Sequence, residues 1–278
     1  MLFTFFGDII SDLVSFLGPK GTFTHEVAEM IGDELIPCCT IPAVMESIVS
    51  GNCSKGVVPI ENSIEGPVGV TLDSLAHRYD LNIVKEIIIP INQHLIVNNE
   101  SEMEDIEDVY SHQQAIAQCS EFIAKTNIQT HYAISTANAA KSIIGFKSKA
   151  AIGNIKSAEL YGLKVLKKNI QDVNNNETRF IALSKEDTKP TGNDKTSIIF
   201  SIYEDRPGSL YNILGIFEKD KINLTKIESR PSKQGLGKYL FFVDFYGHQY
   251  DDNIKRILKE VEDNSYFFKI LGSYPEFK

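Results

Sequence analysis

From about Val14 to Leu183 the chain alternates short β-rich runs with helix-like stretches. This alternation narrows the possible folds most, because strands separated by helices call for a layered α/β architecture. Val14 to Leu17, Val57 to Ile60, Ile83 to Ile89, His94 to Val97 and Asp108 to Tyr110 read as strands, with Ala151 and Ile152 starting another. Thr22 to Ile31, Gln113 to Lys125 and Asn154 to Tyr161 read as helices. Thr22, Asn62 or Ser63, Ser111, Ser135 or Thr136, and Asn154 fall at strand-to-helix junctions, and all are residue types that cap helix N-termini. If the strands run the same way, those ends share one edge, where free N–H groups and partial positive charge can hold a carboxylate.

The stretch Glu186 to Lys195 (EDTKPTGNDK) lacks apolar periodicity and reads as a linker. Beyond it, SIIFSIYE predicts a strand, Gly208 to Lys219 a helix, and Ile222 to Ser229 and Lys238 to Gly247 two strands. Asp252 to Val261 predicts a helix and Phe267 to Leu271 a strand. The order is β-α-β-β-α-β, that of a ferredoxin-like domain.

Length suggests two or three domains with apolar content for real cores. The balance of 28 Lys+Arg against 37 Asp+Glu gives a net charge of −9. That balance argues against a nucleic-acid or anionic-membrane surface, so an anionic ligand must be met locally. Cys38, Cys39, Cys53 and Cys119 show no metal-ligand spacing, so no metal is expected. Such sparse cysteine fits a reducing cytoplasm. The opening MLFTFFGDII is apolar but carries Asp8, has no basic start and has no small-residue cleavage site, unlike a signal peptide. No stretch approaches a membrane span.

Eight runs in order, GPKGTFTHEVA, GVVPIENSIEGPVGVTLDSL, SHQQAIAQC, STANAA, AIGNIKSAELYGL, NETRF, GSLYNIL and ESRP, resemble the prephenate dehydratase family with a C-terminal ACT regulatory domain. The resemblance covers nearly everything after residue 14. It implies a catalytic region at 14–185 with two lobes resembling type II periplasmic binding proteins, lobe crossovers near Pro90 and Asp172, and an ACT domain at 196–278. Gln113 and Thr24 depart from the family's usual Pro and Ser. The first dozen residues match nothing in it, and read as an extra arm or a misassigned start. No helical segment long enough for a fused chorismate mutase is visible in the chain.

The resemblance implies decarboxylative dehydration of prephenate to phenylpyruvate without any cofactor. It implies that Thr178 is the donor at the departing hydroxyl, that Arg179 binds a carboxylate, and that Asn62, Ser111 and Gln118 serve the reaction. Thr22, Ser63, Glu61 and Thr136 are expected to bind substrate. A threonine hydroxyl is a poor free acid, so Thr178 is expected to stabilise the departing hydroxide by hydrogen bonding. Thr178 and Asn62 are therefore expected to face one cleft.

In the second domain Gly208, Ser209 and Leu210, with Glu228, Ser229, Arg230 and Pro231, match the family's phenylalanine-binding motifs. Phenylalanine is expected between ACT domains of paired subunits in a homodimer or homotetramer, favouring a less active state. Two other readings fit the sequence: an arogenate dehydratase, whose substrate carries an amine in place of the keto group, and a non-catalytic amino-acid sensor.

Overall fold

The computed structural model describes residues 13–277 apart from 127, 204, 205, 234 and 236, so the opening MLFTFFGDII lies outside the described residues. The chain begins with β1 (Val14–Leu17), α1 (Phe23–Glu29), β2 (Leu35–Cys38), α2 (Ile41–Val49), β3 (Lys55–Asn62), β4 (Gly66–Pro67), α3 (Gly69–His77) and β5 (Asn82–Pro90). It then crosses to a second sheet through β6 (His94–Val97), β7 (Asp108–Ser111), α4 (Gln113–Ala117), α5 (Ser120–Thr126), β8 (Gln129–Tyr132), α6 (Thr136–Ser142), β9 (Lys149–Gly153), α7 (Ile155–Tyr161) and β10 (Lys164–Lys167). It returns to the first sheet as β11 (Glu177–Ser184).

The first sheet has the order β2-β1-β3-β11-β5, with β4 beside β3, and the second has β10-β6-β9-β7-β8. Each sheet with its helices forms one lobe. The strands do not all run the same way: β1, β2 and β3 are parallel, whereas β11 enters antiparallel between β3 and β5. Because β11 arrives from the other lobe, its first residues lie beside the last residues of β3, pairing Thr178 with Asn62.

The VVPI run is continuous because β3 is covered on both faces. Val57 packs with Phe16, Val27, Ile89 and Phe180, while Val58 and Ile60 pack with Val44, Met45 and Ile48 of α2 and Leu72 and Leu75 of α3. Each such side chain contributes about 1.5–3 kcal/mol on full burial. Helix α2 follows a sequence rule, with Thr40 as cap and Ile41, Val44, Met45 and Ile48 at helical spacing, and is an element beyond those expected.

The helix expected from Gln113 to Lys125 is two, α4 and α5. Asp172, on the returning crossover, is the reason: its N–H donates to the Gln118 carbonyl (2.7 Å), and its carboxylate accepts from Ser120 Oγ (2.7 Å) and the Glu121 N–H (3.1 Å). Gln118 thus ends α4 instead of lying inside a longer helix.

The remaining chain forms β12 (Asp194–Ser201), α8 (Ser209–Lys219), β13 (Leu224–Pro231), β14 (Tyr239–Tyr246), α9 (Asp252–Asp263) and β15 (Phe267–Pro275). This is the expected βαββαβ order, with antiparallel neighbours β13-β14-β12-β15. One face of the sheet packs Ile198, Phe200, Val243 and Phe245 against Ile213 and Phe217 of α8 and Ile254 and Ile257 of α9. The other face puts Ile199, Leu240, Phe242, Leu271 and Tyr274 into the core of the first lobe. At Gly272 (φ +129°) a Cβ would stand 2.5 Å from the Ile83 carbonyl oxygen, so only glycine lets β15 lie directly against β5.

The stretch read as a linker is tied down. Thr188 donates to the Ser273 carbonyl, Gln249 and Tyr250 donate to Asp187, and Asp194 and Lys195 already belong to β12. Among the described residues no helix is long and apolar enough to cross a membrane.

Candidate active site

The lobes enclose a cleft of about 930 Å³ where β1, β3, β11 and the starts of α1, α4 and α6 converge. Its size lies within the range of small-molecule sites. Thr178 and Asn62 both line it, as expected. Asn62 is not a helix cap: it ends β3, and its Oδ1 accepts the N–H groups of Ile64 (3.0 Å) and Glu65 (2.9 Å) in an Asx-type turn. Its Nδ2 donates to Asn176 Oδ1 (2.7 Å) and to Thr178 Oγ1 (2.9 Å). With that lone pair occupied, the Thr178 O–H is directed elsewhere as a donor, and its oxygen is fixed from behind.

Gln118 also reaches the cleft. Its Nε2 donates to Glu65 Oε1 in the opposite lobe (3.3 Å), and its Oε1 accepts from Gln93 Nε2 on the crossover (3.4 Å). Thr22 lines the cleft and caps α1, its Oγ1 accepting the His25 N–H (3.3 Å) and donating to the Pro19 carbonyl (3.0 Å). Thr136 lines the cleft as the first residue of α6, with Ser135 as its cap. These helix starts direct N–H groups toward the cleft.

Five expected site residues are placed otherwise. Arg179 turns away, because the neighbour of Thr178 on a strand points to the opposite face. There its Nε donates to Glu86 Oε2 (2.8 Å) and its two terminal nitrogens donate to Asp244 Oδ2 (2.6 Å) and the Tyr274 hydroxyl (2.7 Å). Burial by itself would lower the pKa of the guanidinium, but Asp244, Tyr274 and Glu86 outweigh burial and hold it above the ordinary value. Glu61 turns the same way and meets Lys226 of β13 at 2.7 Å. Ser111 is fully buried and donates to the Ile152 carbonyl (2.6 Å), binding β7 to β9; His112 caps α4 in its place, its Nδ1 accepting the Gln114 N–H (3.3 Å). Ser63 donates to the Asn175 carbonyl (3.2 Å) and accepts the Glu177 N–H (2.9 Å), outside the cleft lining. Arg230 donates to Asp73 of α3 (3.1 Å), against the first lobe.

The cap Asn154, too, stands outside the cleft lining, with Oδ1 accepting the Ser157 N–H (3.1 Å). In the C-terminal domain, Gly208 adopts φ +90° and Ser209 opens α8. Leu210 packs into the helix-side core. Along β13 Glu228 and Arg230 are half-buried, whereas Ser229 and Pro231 are exposed. The ESRP run therefore does not present one surface.

Sequence reasoning did not single out Lys20, Glu65, Gln93, Gln114 or Asn138, all of which line the cleft. Lys20 is the one lysine or arginine among the described residues that do so. It sits inside GPKGTFTHEVA, the first of the quoted runs, so the signal was present.

The prephenate dehydratase family model matches residues 14–188, and the ACT domain model matches residues 196–263. A bifunctional chorismate mutase/prephenate dehydratase of Aquifex aeolicus is 44% identical over 95% of this chain and 73% of its own length. A prephenate dehydratase of Methanocaldococcus jannaschii is 42% identical over 93% of this chain and 96% of its own length. Among solved structures, a prephenate dehydratase of Arthrobacter aurescens in complex with L-Phe aligns at 35% identity with a TM-score of 0.85, covering 95% of this chain and 90% of that one. A chain described as a quorum-quenching acylase, GqqA, aligns at 26% identity with a TM-score of 0.86, covering 95% and 98%. Fold likeness alone therefore does not choose the reaction.

Proposed function

We infer that this chain, which belongs to the prephenate dehydratase family and carries a C-terminal ACT domain, converts prephenate to phenylpyruvate in the cleft between its lobes. The observation that carries the reading is the Thr178 hydroxyl, held from behind by Asn62 at 2.9 Å in the cleft wall. In the reaction the bond from the ring to its carboxylate breaks and carbon dioxide leaves. The electron pair left behind completes the aromatic ring as the C4–O bond breaks. The oxygen departs with its bonding pair and collects a proton to become water.

Thr178 donates to that oxygen as negative charge grows on it. A positioned donor of this kind contributes about 10²- to 10⁴-fold, roughly 3 to 5 kcal/mol of barrier. Lys20 and the helix starts at Thr22, His112 and Ser135 receive the substrate carboxylates, which is how an acidic protein concentrates positive potential where it is needed. Gln118, bonded across the cleft to Glu65, ties the lobes over the ligand. Aromatisation supplies the driving force, and no step requires a cofactor.

Phenylalanine regulates this activity through the ACT domain. It is read as binding at Gly208 to Leu210 together with the exposed Ser229 face of β13 from a second copy in a homo-oligomer, with the protein acting in the cytoplasm. The supporting observations are the α8 start at Ser209, the open edge strand β13 and the L-Phe complex of the Arthrobacter aurescens structure.

The test is phenylpyruvate formation from prephenate by the purified chain, with arogenate as competitor, with and without phenylalanine, after chelator treatment. Turnover that survives chelation and falls with phenylalanine is expected. Turnover of arogenate in preference would reassign the substrate, and no turnover of either with phenylalanine still bound would make the chain a sensor.

A further inference from the structure

Strands β3 and β11 carry the cleft pair on one side and a charged pair on the other, one peptide unit away. Thr178 and Asn62 line the cleft, while Arg179 and Glu61 face the C-terminal sheet. The register shifts at this point: Arg179 pairs with Glu61 but Phe180 pairs with Pro59. A bulge bends a strand and re-aims the side chains beside it.

On the far side every Arg179 nitrogen is engaged. Asp244 of β14 and Tyr274 of β15 belong to the C-terminal sheet, and Glu86 to β5. Ser197 donates to Asp244 Oδ1 (2.5 Å), so the Tyr274 hydroxyl is the donor in its 2.6 Å contact with Ser197. The bonds thus run from Arg179 through Tyr274, Ser197 and Asp244 back to Arg179. Glu86 also accepts from Lys195 of β12 (2.9 Å), and Glu61 meets Lys226 of β13. All four strands of the C-terminal sheet therefore hold a group bonded to Arg179, Glu61 or Glu86.

We propose that Arg179 is a positioning residue for Thr178, and that the C-terminal sheet sets that position through Asp244 and Tyr274. The inference rests on the dehydratase reading and goes beyond it: a substrate-facing arginine is replaced by one that never meets substrate. A closed ring of directional bonds around a buried guanidinium cannot slide gradually, because a shift of the C-terminal sheet against β11 breaks the bonds from Arg179 to Asp244 and to Tyr274 together. It therefore has discrete arrangements, as a two-state coupling element requires.

The test uses the full chain with Asp244→Asn and Tyr274→Phe, neither of which lines the cleft. It measures kcat and KM for prephenate, phenylalanine inhibition, phenylalanine binding by calorimetry, and melting temperature. For Asp244→Asn the expected result is a kcat lower by about tenfold with KM within about twofold, and inhibition weakened while phenylalanine still binds. A folded Asp244→Asn with unchanged kcat and inhibition overturns the proposal, and so does a raised KM at constant kcat, which would put Arg179 on the substrate. If Asp244→Asn does not fold, Tyr274→Phe, which removes one neutral partner, is judged by the same criteria. A wild-type chain that does not convert prephenate sinks the dehydratase reading, whereas active wild type with unaffected variants sinks this inference alone.

Discussion

The cleft and the seam behind it are built from adjacent residues of the same strands but in opposite chemistry. In the cleft, Thr178, Asn62 and Gln118 are neutral, and one lysine supplies fixed positive charge among the described lining residues. In the seam, Arg179, Lys195 and Lys226 meet Glu86, Asp244 and Glu61. Charge buried between domains must be paired to be tolerated and so has nothing left for a ligand. Neutral hydroxyls and amides can be held by one bond and still offer another. Motif arginines therefore need a location before they are given a role.

Thr178→Ala should break this comparison hardest on the cleft side, lowering kcat by about 10²- to 10⁴-fold. Loss of the single Asn62 bond should cost only about 1 kcal/mol of stability, so a melting curve near wild type beside a collapsed kcat is the expected pair. On the seam side, Arg179→Met leaves Glu86 and Asp244 without their shared cation, and denaturant unfolding should show a loss of about 3–5 kcal/mol. A loss below about 1 kcal/mol would mean the seam is solvated like a surface pair.

Lys20→Gln should raise KM for prephenate about tenfold with kcat retained, and added salt should shrink the difference between variant and wild type, because the group is exposed. Ser111→Ala sharpens the contrast between motif and site. It loses one buried bond to Ile152, so stability should fall by about 1 kcal/mol while kcat and KM stay put; a kcat loss beyond about tenfold would return Ser111 to the chemistry.

The smallest effect concerns pH. Burial lowers the pKa of His25 and His94 below 6.5, with Glu29 partly opposing this at His25 and Lys168 adding to it at His94. The unfolded chain then binds protons below 6.5 that the folded chain refuses, so stability should be constant above that value and decline as pH falls beneath it. Melting temperatures between about pH 8 and pH 5.5 check the sign, and His94→Gln should flatten the slope.

The layered α/β pattern, the βαββαβ order and the caps Thr22 and Asn154, with Ser135 as one of two candidates at its junction, were legible in the residues, because capping, periodicity and strand propensity act within a few positions of one another, whereas the approach of Thr178 to Asn62, far apart in the chain, was expected only from the family resemblance. The direction of β11 was not legible, nor the break between α4 and α5, since each depends on a crossover from the other lobe, through Asp172 in the second case. Nor could the linker be recognised as part of the domain seam, because polar residues held by Ser273, Gln249 and Tyr250 look the same in sequence as solvated ones.

Thr178 and Arg179 mark the boundary between the two kinds of information. A strand guarantees that neighbours point to opposite faces, and that much follows from the sequence. Which face became the cleft and which met Asp244 was decided by where the second lobe and the C-terminal sheet settled. Burial is a property of what packs against a strand, not of the strand itself.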